Sequence, residues 1–249
     1  MKVIGIIPAR YHSTRLPKKM LRLLGGKPLV QHVWEQCRKA VTLTEVIVAT
    51  DHEDIRAAVQ AFGGKAVMTD PDHQSGTDRL VEVVRSITCD VAINIQGDEP
   101  FIDPAAIDSL AKAFEKEAAL QVATLCNRGT SLEQYQNPNC VKVVRDRQGY
   151  ALYFSRAMIP FDRDGKGTIS FFKHIGIYAF RRDFLLGYSS LPQSTLEQSE
   201  KLEQLRILEA GEKIKVIETD YDTCGIDTEE DLQVAEKIYT SRKKKEPRS

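Results

Sequence analysis

The chain reads as an α/β protein with a mostly parallel, mixed sheet and helices on both faces. Short β-branched runs alternate with segments of helical periodicity, the signature of that architecture. The first run, "VIGII" (3–7), is continuously apolar, as a buried strand is. The length of 249 residues and 42% hydrophobic content allow a sizeable core, and no Pro-, Gly- or Ser-rich linker divides the chain. One domain over 1–249 is therefore expected.

Each element follows from local pattern. "PLVQHVWEQCRKAV" (28–41) places Leu29, Val30, Val33, Trp34 and Cys37 on one helical face. "EVIVAT" (45–50) is a strand, and "EDIRAAVQAFGG" (53–64) a helix ended by glycines. "AVMT" (66–69) leads to the polar loop "DPDHQSGT" (70–77) and a helix through "DRLVEVVRSI" (78–87). "VAINIQ" (91–96) runs into "GDEP" (97–100), and the helix "PAAIDSLAKAFEKEA" (104–118) precedes the strand "QVATLC" (121–126). "VKVVRD", "YALYFS" and "HIGIYAF" are strands with long polar connections. Two helices are expected around 182–191 and 196–211, then a strand in "KIKVIET" (213–219). Thr228 and Asp231 form a capping box for a closing helix over 228–244. The basic tail, 241–249, is expected to fray.

Charge is balanced overall, with 35 basic and 35 acidic residues, which argues against general nucleic-acid or membrane-surface binding. Five scattered cysteines without a C-x-x-C pair read as free thiols. No apolar segment is long enough for a membrane span, and the start is too short in apolar residues for a signal peptide. A soluble, cytoplasmic protein is expected.

Local charge is not balanced. Arg10, His12, Arg15, Lys18, Lys19 and Arg22 follow the first strand, and no acid occurs before Glu35. In open α/β sheets ligands bind beyond the carboxyl ends of the strands, which singles out the loops 8–20, 70–77 and 97–104. Neither G-x-G-x-x-G nor a P-loop is present, so phosphates would be met by charged side chains, Arg15 as a planar fork and Lys19 as a point charge. The missing fingerprint also disfavours a nicotinamide dehydrogenase. Asp98 follows a buried strand and is either a Mg²⁺ ligand or turn chemistry. Asp227 precedes the last helix and is either its partner on the metal or a helix-dipole residue. Gln74, Ser75, Gly76 and Thr77 suit a pyrimidine edge, or are simply a polar loop. The histidines show no metal-ligand spacing, and no G-x-S-x-G elbow occurs.

In order along residues 3–235, "IPARYHSTRLPKK", "ATDHEDI", "DHQSGTDRL", "NIQGDEP", "YALYFSRAMIP", "HIGIYAF", "LEQLR" and "GIDTEEDL" resemble the motif series of the 3-deoxy-D-manno-octulosonate (Kdo) cytidylyltransferases. The resemblance implies a Rossmann-like, nucleotide-diphospho-sugar transferase-like fold. It implies a homodimer that makes CMP-Kdo and pyrophosphate from CTP and Kdo with Mg²⁺, for lipopolysaccharide. By position, it implies Arg10, Arg15 and Lys19 on the triphosphate, Ser75, Gly76 and Arg79 near the cytidine, and Ser13 as a further CTP-binding residue. Asp98 and Asp227 would hold the metal. Gln96, Arg156, His174, Tyr178, Glu203 and Gln204 would surround the sugar acid, with Arg156 suited to its carboxylate. Residues 150–200, richer in apolar surface than one face needs, are the expected dimer region. One departure is Lys18, where similar sequences commonly carry a small residue, often glycine; Lys18 is expected to point outward and Lys19 to keep the phosphate role.

Overall fold

The apolar run at the start of the chain is β1 (Val3–Ala9), with every residue but Pro8 buried. The computed structural model describes residues 1–73, 75–165 and 170–245; Gln74 and the tail residues 246–249 lie outside them. The chain forms two compact units. One holds Lys2–Asp108 with the segment from Thr223 onward, and the other holds Ser109–Asp222 with Met1.

In the first unit the basic loop after β1 ends in one 3-10 turn (Lys19–Leu21). A small hairpin follows, β2 (Leu23–Leu24) and β3 (Lys27–Pro28), for which the sequence carried no strand pattern. Helix α1 (Leu29–Cys37) buries Leu29, Val30, Val33 and Cys37 as its periodicity requires, while Trp34 is half-buried against Phe62. Then β4 (Glu45–Thr50), α2 (Glu53–Ala61), β5 (Lys65–Met68), α3 (Gly76–Ser86) and β6 (Val91–Asn94) alternate. Strands β6, β1, β4 and β5 lie side by side and parallel, with Ile6 opposite Asn94 on one side and Ile47 on the other. Parallel strands present all their carboxyl ends on one rim, so the loops after β1, β4, β5 and β6 share it.

Helix α4 (Pro104–Lys116) crosses the boundary between the units. The second unit contains β7 (Val122–Arg128), α5 (Leu132–Gln136), β8 (Lys142–Arg145), β9 (Ala151–Ser155), β10 (Phe172–Arg181), α6 (Arg182–Tyr188), α7 (Thr195–Glu200), α8 (Leu205–Glu209) and β11 (Ile214–Glu218). β11 runs parallel to β7; β10 is antiparallel to β7 and to β8, and β9 to β8. The helix expected over 196–211 is two helices. Lys201 takes φ 53°, ψ 45°, a left-handed conformation that ends α7 before α8 begins.

The chain returns to the first unit in α9 (Glu229–Lys245). Its capping box forms as expected: the Thr228 amide donates to Asp231 Oδ2 at 2.9 Å, and the Asp231 amide to Thr228 Oγ1 at 3.2 Å. Residues 241–245 of the tail continue this helix rather than fraying. Beneath the rim a buried cluster joins Leu16, Leu24, Leu29, Phe101, Ile226, Leu232 and Ala235. The five cysteines are free thiols, and no helix among the described residues is long and apolar enough to cross a membrane.

Lys18 has φ 54°, ψ 36°, which accounts for the departure noted in the sequence: glycine adopts this left-handed geometry without a Cβ penalty. Its side chain is exposed, with Nζ 5.3 Å from the Tyr11 ring centroid. Replacing Lys18 by alanine removes the cation–π contact but keeps the strain; glycine removes both. Lys18→Gly is therefore expected to be more stable than Lys18→Ala by about 1 kcal/mol. Urea unfolding midpoints of the two variants measure the difference, and equal midpoints would show the backbone to be unstrained.

Candidate active site

A cavity of about 340 Å³ opens at the carboxyl ends of β1 and β6. Arg10, Ser13, Arg15 and Lys19 line it from the basic loop, Gly76 from the start of α3, Gln96 and Asp98 from the loop after β6, and Asp227 from the segment before α9. Three of the sequence-predicted loops thus meet in one place within the first unit.

Its centre is an ion cluster. Lys19 Nζ lies 2.6 Å from Asp98 Oδ2 and 2.9 Å from Asp227 Oδ1. Arg15 reaches Asp227 Oδ2 at 2.9 Å from a largely exposed position. The Lys19 side chain is only 12% exposed. Burial works to lower its pKa, but Asp98 and Asp227 outweigh that cost, and the net shift is upward. The ammonium is therefore fully charged at neutral pH.

The backbone behind these side chains is tied down. Leu16, Phe101 and Ile226 belong to the buried cluster and stand close in sequence to Arg15, Asp98 and Asp227. The Ile226 amide donates to the Asp98 carbonyl at 3.0 Å, joining the two acidic segments directly. Asp231 also accepts from the Asp227 amide at 3.0 Å, so the cap of α9 holds the preceding residue as well. Glu99 is buried and accepts from the Cys224 amide at 3.1 Å. Gly97 is obligatory here: a Cβ on it would lie 2.9 Å from the Pro8 carbonyl oxygen and 2.8 Å from Met20 Sδ.

Other predicted residues are used differently from the expectation. Ser75 is the N-cap of α3, its Oγ accepting from the Asp78 amide at 3.1 Å and donating to Asp78 Oδ2 at 2.9 Å. Gln74 lies outside the described residues. Gly76 has ordinary contacts, with the nearest protein atom to an added Cβ at 3.5 Å, so no close approach of the protein's own atoms requires glycine there. Arg79 is wholly buried and outside the cavity wall: it donates to Thr69 Oγ1 and, at 3.2 Å, to Asp51 Oδ2. Asp51 also accepts from the Tyr11 amide at 2.9 Å, and the Tyr11 ring stacks on His52 at 3.5 Å. Arg79 thus anchors the basic loop through Asp51, because burial leaves its charge no choice but internal acceptors.

The remaining sugar-site candidates lie in the second unit. Tyr178 Oη and Thr124 Oγ1 each sit 3.0 Å from His174 Nε2, and Phe154 packs edge-on against the imidazole. A bulge in β10 between Ile175 and Tyr178 breaks the ladder, and Thr124 Oγ1 lies within donating distance of the carbonyls of Ile175 and Ile177. Glu203 accepts from Tyr188 Oη at 2.9 Å, and the buried Gln204 Nε2 has no hydrogen-bond partner among the described residues. Arg156, which the resemblance assigns to the sugar carboxylate, is engaged with the main chain. Its guanidinium donates to the carbonyls of Glu200 at 2.7 Å, Pro138 at 3.0 Å and Lys201 at 3.4 Å, which fixes the segment before Glu203.

Cavity residues to which the sequence assigned no role are Pro8, His12, Thr14, Met20 and Gly97. His12 and Thr14 lie in the basic loop already identified, and Gly97 in "GDEP"; Met20 carries no chemical signal.

The cytidylyltransferase family model matches residues 4–214. The 3-deoxy-manno-octulosonate cytidylyltransferase of Trichlorobacter lovleyi is 48% identical over 245 residues, covering 94% of this chain and 97% of that one. Its counterpart in Geotalea daltonii is 50% identical over 242 residues, covering 93% and 96%. The chain belongs to the 3-deoxy-manno-octulosonate cytidylyltransferase family. A solved structure of CMP:2-keto-3-deoxy-manno-octonic acid synthetase complexed with CTP superposes with a TM-score of 0.94 at 46% identity, covering 97% of this chain and all of that one. The protein is thus an enzyme, a nucleotidyltransferase, and its mixed α/β fold is that of the family, as the sequence led us to expect.

Whether the cavity suits a metal can be read from its donors. Among the described residues no group of three or more His, Cys, Asp and Glu side chains forms a metal cage. Asp98 and Asp227 nevertheless converge on a single cation, the Lys19 ammonium. Two carboxylates beside an open, cation-lined cavity suit Mg²⁺, which takes one or two protein carboxylates and completes its shell with water and phosphate. These two residues therefore fit the metal that the sequence resemblance implies.

Burial holds the His174 imidazole well below its ordinary pKa. A lowered folded-state value means that the neutral ring is kept as pH falls through the usual histidine range, and that protonation there opposes folding. The His174 ring carbon resonances are expected to stay constant from pH 8 to pH 5 in an NMR titration. A step centred near 6.5 would show the ring to be solvated.

Proposed function

We propose that the enzyme transfers CMP from CTP to the anomeric hydroxyl of Kdo, releasing pyrophosphate, with Mg²⁺ held by Asp98 and Asp227. The observation that carries this reading is the convergence of three basic side chains and two carboxylates on one cavity in a chain of this family. The relative whose structure was solved with CTP supports the nucleotide, and the relatives' names support the sugar.

The hydroxyl oxygen of Kdo attacks the α-phosphorus in line, and the bond to the β-phosphate oxygen breaks. Negative charge builds on the departing pyrophosphate and on the non-bridging oxygens, so positioning and electrostatic stabilisation do most of the work. Arg15 and Lys19 meet the pyrophosphate; Arg10 and Ser13 orient the rest of the triphosphate. Gly76, at the cavity edge with Ser75 beside it, faces the nucleoside. A bound Mg²⁺ would neutralise phosphate oxygens and lower the pKa of the attacking hydroxyl. Gln96, His174, Tyr178, Glu203 and Gln204 recognise the sugar acid. Arg156 enters as a positioning residue for Glu203 and Gln204, and Arg79 as one for the basic loop. The product would serve lipopolysaccharide assembly in the cytoplasm.

The enzyme is further proposed to act as a homodimer through residues 150–200, where Leu152, Met158 and Phe161 are exposed apolar side chains. Sedimentation equilibrium is expected to give twice the chain mass, and the double variant Leu152→Glu, Phe161→Glu to shift it toward the monomer. A wild-type monomer at micromolar concentration would exclude the dimer.

Pyrophosphate release from CTP is expected only when Kdo and Mg²⁺ are both present; release that is independent of Kdo, or specific to another acidic sugar, would displace this reading. Asp98→Asn is expected to keep the fold by circular dichroism but lose ~100-fold or more in turnover at saturating Mg²⁺, in line with the ~3 kcal/mol typical of one electrostatic contact in a transition state. Near-normal turnover would remove Asp98 from the metal.

A further inference from the structure

The ion cluster has a feature the transfer reaction does not by itself require. Lys19 Nζ stands within hydrogen-bond distance of both carboxylates that would hold the metal, at 2.6 and 2.9 Å. Arg15 takes the second oxygen of Asp227 at 2.9 Å. These three contacts direct the loop cations onto the acids. Both a lysine ammonium and a divalent cation seek the same carboxylate oxygens, and one oxygen position does not serve both at full strength.

We propose that Lys19 is a built-in counter-ion that closes the Asp98–Asp227 clamp, and that the nucleotide's triphosphate opens it by drawing Lys19 away. Resting on the reading of these two acids as metal ligands, this makes metal and nucleotide binding mutually dependent. The free enzyme holds divalent metal poorly, and Mg²⁺ becomes firmly bound only with the triphosphate. The linkage is reciprocal: whatever the triphosphate contributes to metal affinity, the metal returns to triphosphate affinity.

Three structural facts favour exchange over a fixed salt bridge. Lys19 lines the cavity, so a phosphate entering there meets the ammonium directly. The exchange needs only side-chain rotation, because the backbone is held by Leu16 on one side and the buried Met20 on the other. Lys18 is turned out toward Tyr11, so no second lysine stands ready to take over the clamp.

The test measures metal binding without nucleotide, using Mn²⁺ and its electron paramagnetic resonance signal. Lys19→Met, which removes the competing charge, is expected to bind Mn²⁺ about tenfold more tightly than wild type. Lys19→Arg, which keeps a cation, should stay close to wild type, and the double variant Asp98→Asn, Lys19→Met should lose the gain. Equal affinity of wild type and Lys19→Met, or a gain that survives in the double variant, would overturn the proposal.

A second measurement needs no variant in the observed sample, only Lys19→Arg to assign the signal. In wild type labelled at lysine Cε, the Lys19 resonance should move on adding metal-free CTP and stay in place on adding Mg²⁺ alone to about 1 mM. A shift with Mg²⁺ alone equal to that with CTP would overturn the proposal. Pyrophosphate release by the same wild-type preparation separates the two readings. Active enzyme with no Lys19 effect refutes the exchange alone; Lys19 effects without Kdo-dependent release refute the proposed reaction alone.

Discussion

The site depends on keeping five charged side chains together where the ends of a parallel sheet leave them partly shielded from water. Arg10, Arg15 and Lys19 repel one another, as do Asp98 and Asp227, and only the cross-contacts make the arrangement bearable. Lys19 carries the largest share, touching both acids while only 12% exposed. For such partly shielded pairs the cost of taking the charges out of water offsets much of their attraction, so they contribute little net stability on their own. The convergence is therefore imposed from below, by Leu16, Phe101 and Ile226 in one apolar cluster and by the Ile226–Asp98 backbone bond. Hydrophobic burial sets the positions, and electrostatics then acts between groups already placed.

Much of that was legible in the sequence, and the limits of legibility have physical causes. The parallel strands and their loops follow from alternating periodicity, so the basic loop, "GDEP" and Asp227 could be assigned to one rim without coordinates. The capping box at Thr228 and Asp231 was readable because it is local. Its second task, holding the Asp227 amide, was not, since that depends on where the chain arrives from. Residue type gives a charge but not its partner. Arg79 and Arg156 were both read as facing substrate, yet one is spent on Asp51 and Thr69 and the other on main-chain carbonyls. A short polar segment can also interrupt a good helical pattern: Lys201 in left-handed geometry splits 196–211, although neither glycine nor proline marks the break.

The second unit shows the same dependence of chemistry on backbone irregularity. A regular β10 would have paired the carbonyls of Ile175 and Ile177 with β7. The bulge releases them, and Thr124 turns its hydroxyl toward both while remaining 3.0 Å from His174. Neutral hydroxyls rather than carboxylates thus face the imidazole on these contacts, which is consistent with an uncharged ring. A neutral histidine beside the hydroxyls of Tyr178 and Thr124 can exchange hydrogen bonds with a sugar without fixing a charge on it. Affinity for an acid group would then have to come from elsewhere.

The two neighbouring lysines show how one backbone angle separates two roles. A residue at φ 54° reverses the local chain direction, so Lys18 projects toward Tyr11 while Lys19, opening the 3-10 turn, projects into the cavity. With Lys18 in an ordinary right-handed or extended geometry, the direction of Lys19 would change with it, and the clamp would lose its counter-ion. Strain of order 1 kcal/mol at Lys18 is small beside the consequence, which is a single ammonium held against two carboxylates. Glycine at this position would give the same direction without strain. The geometry, not the lysine side chain, is what the site needs at residue 18, and the second positive charge is free to lie on an aromatic face outside the chemistry.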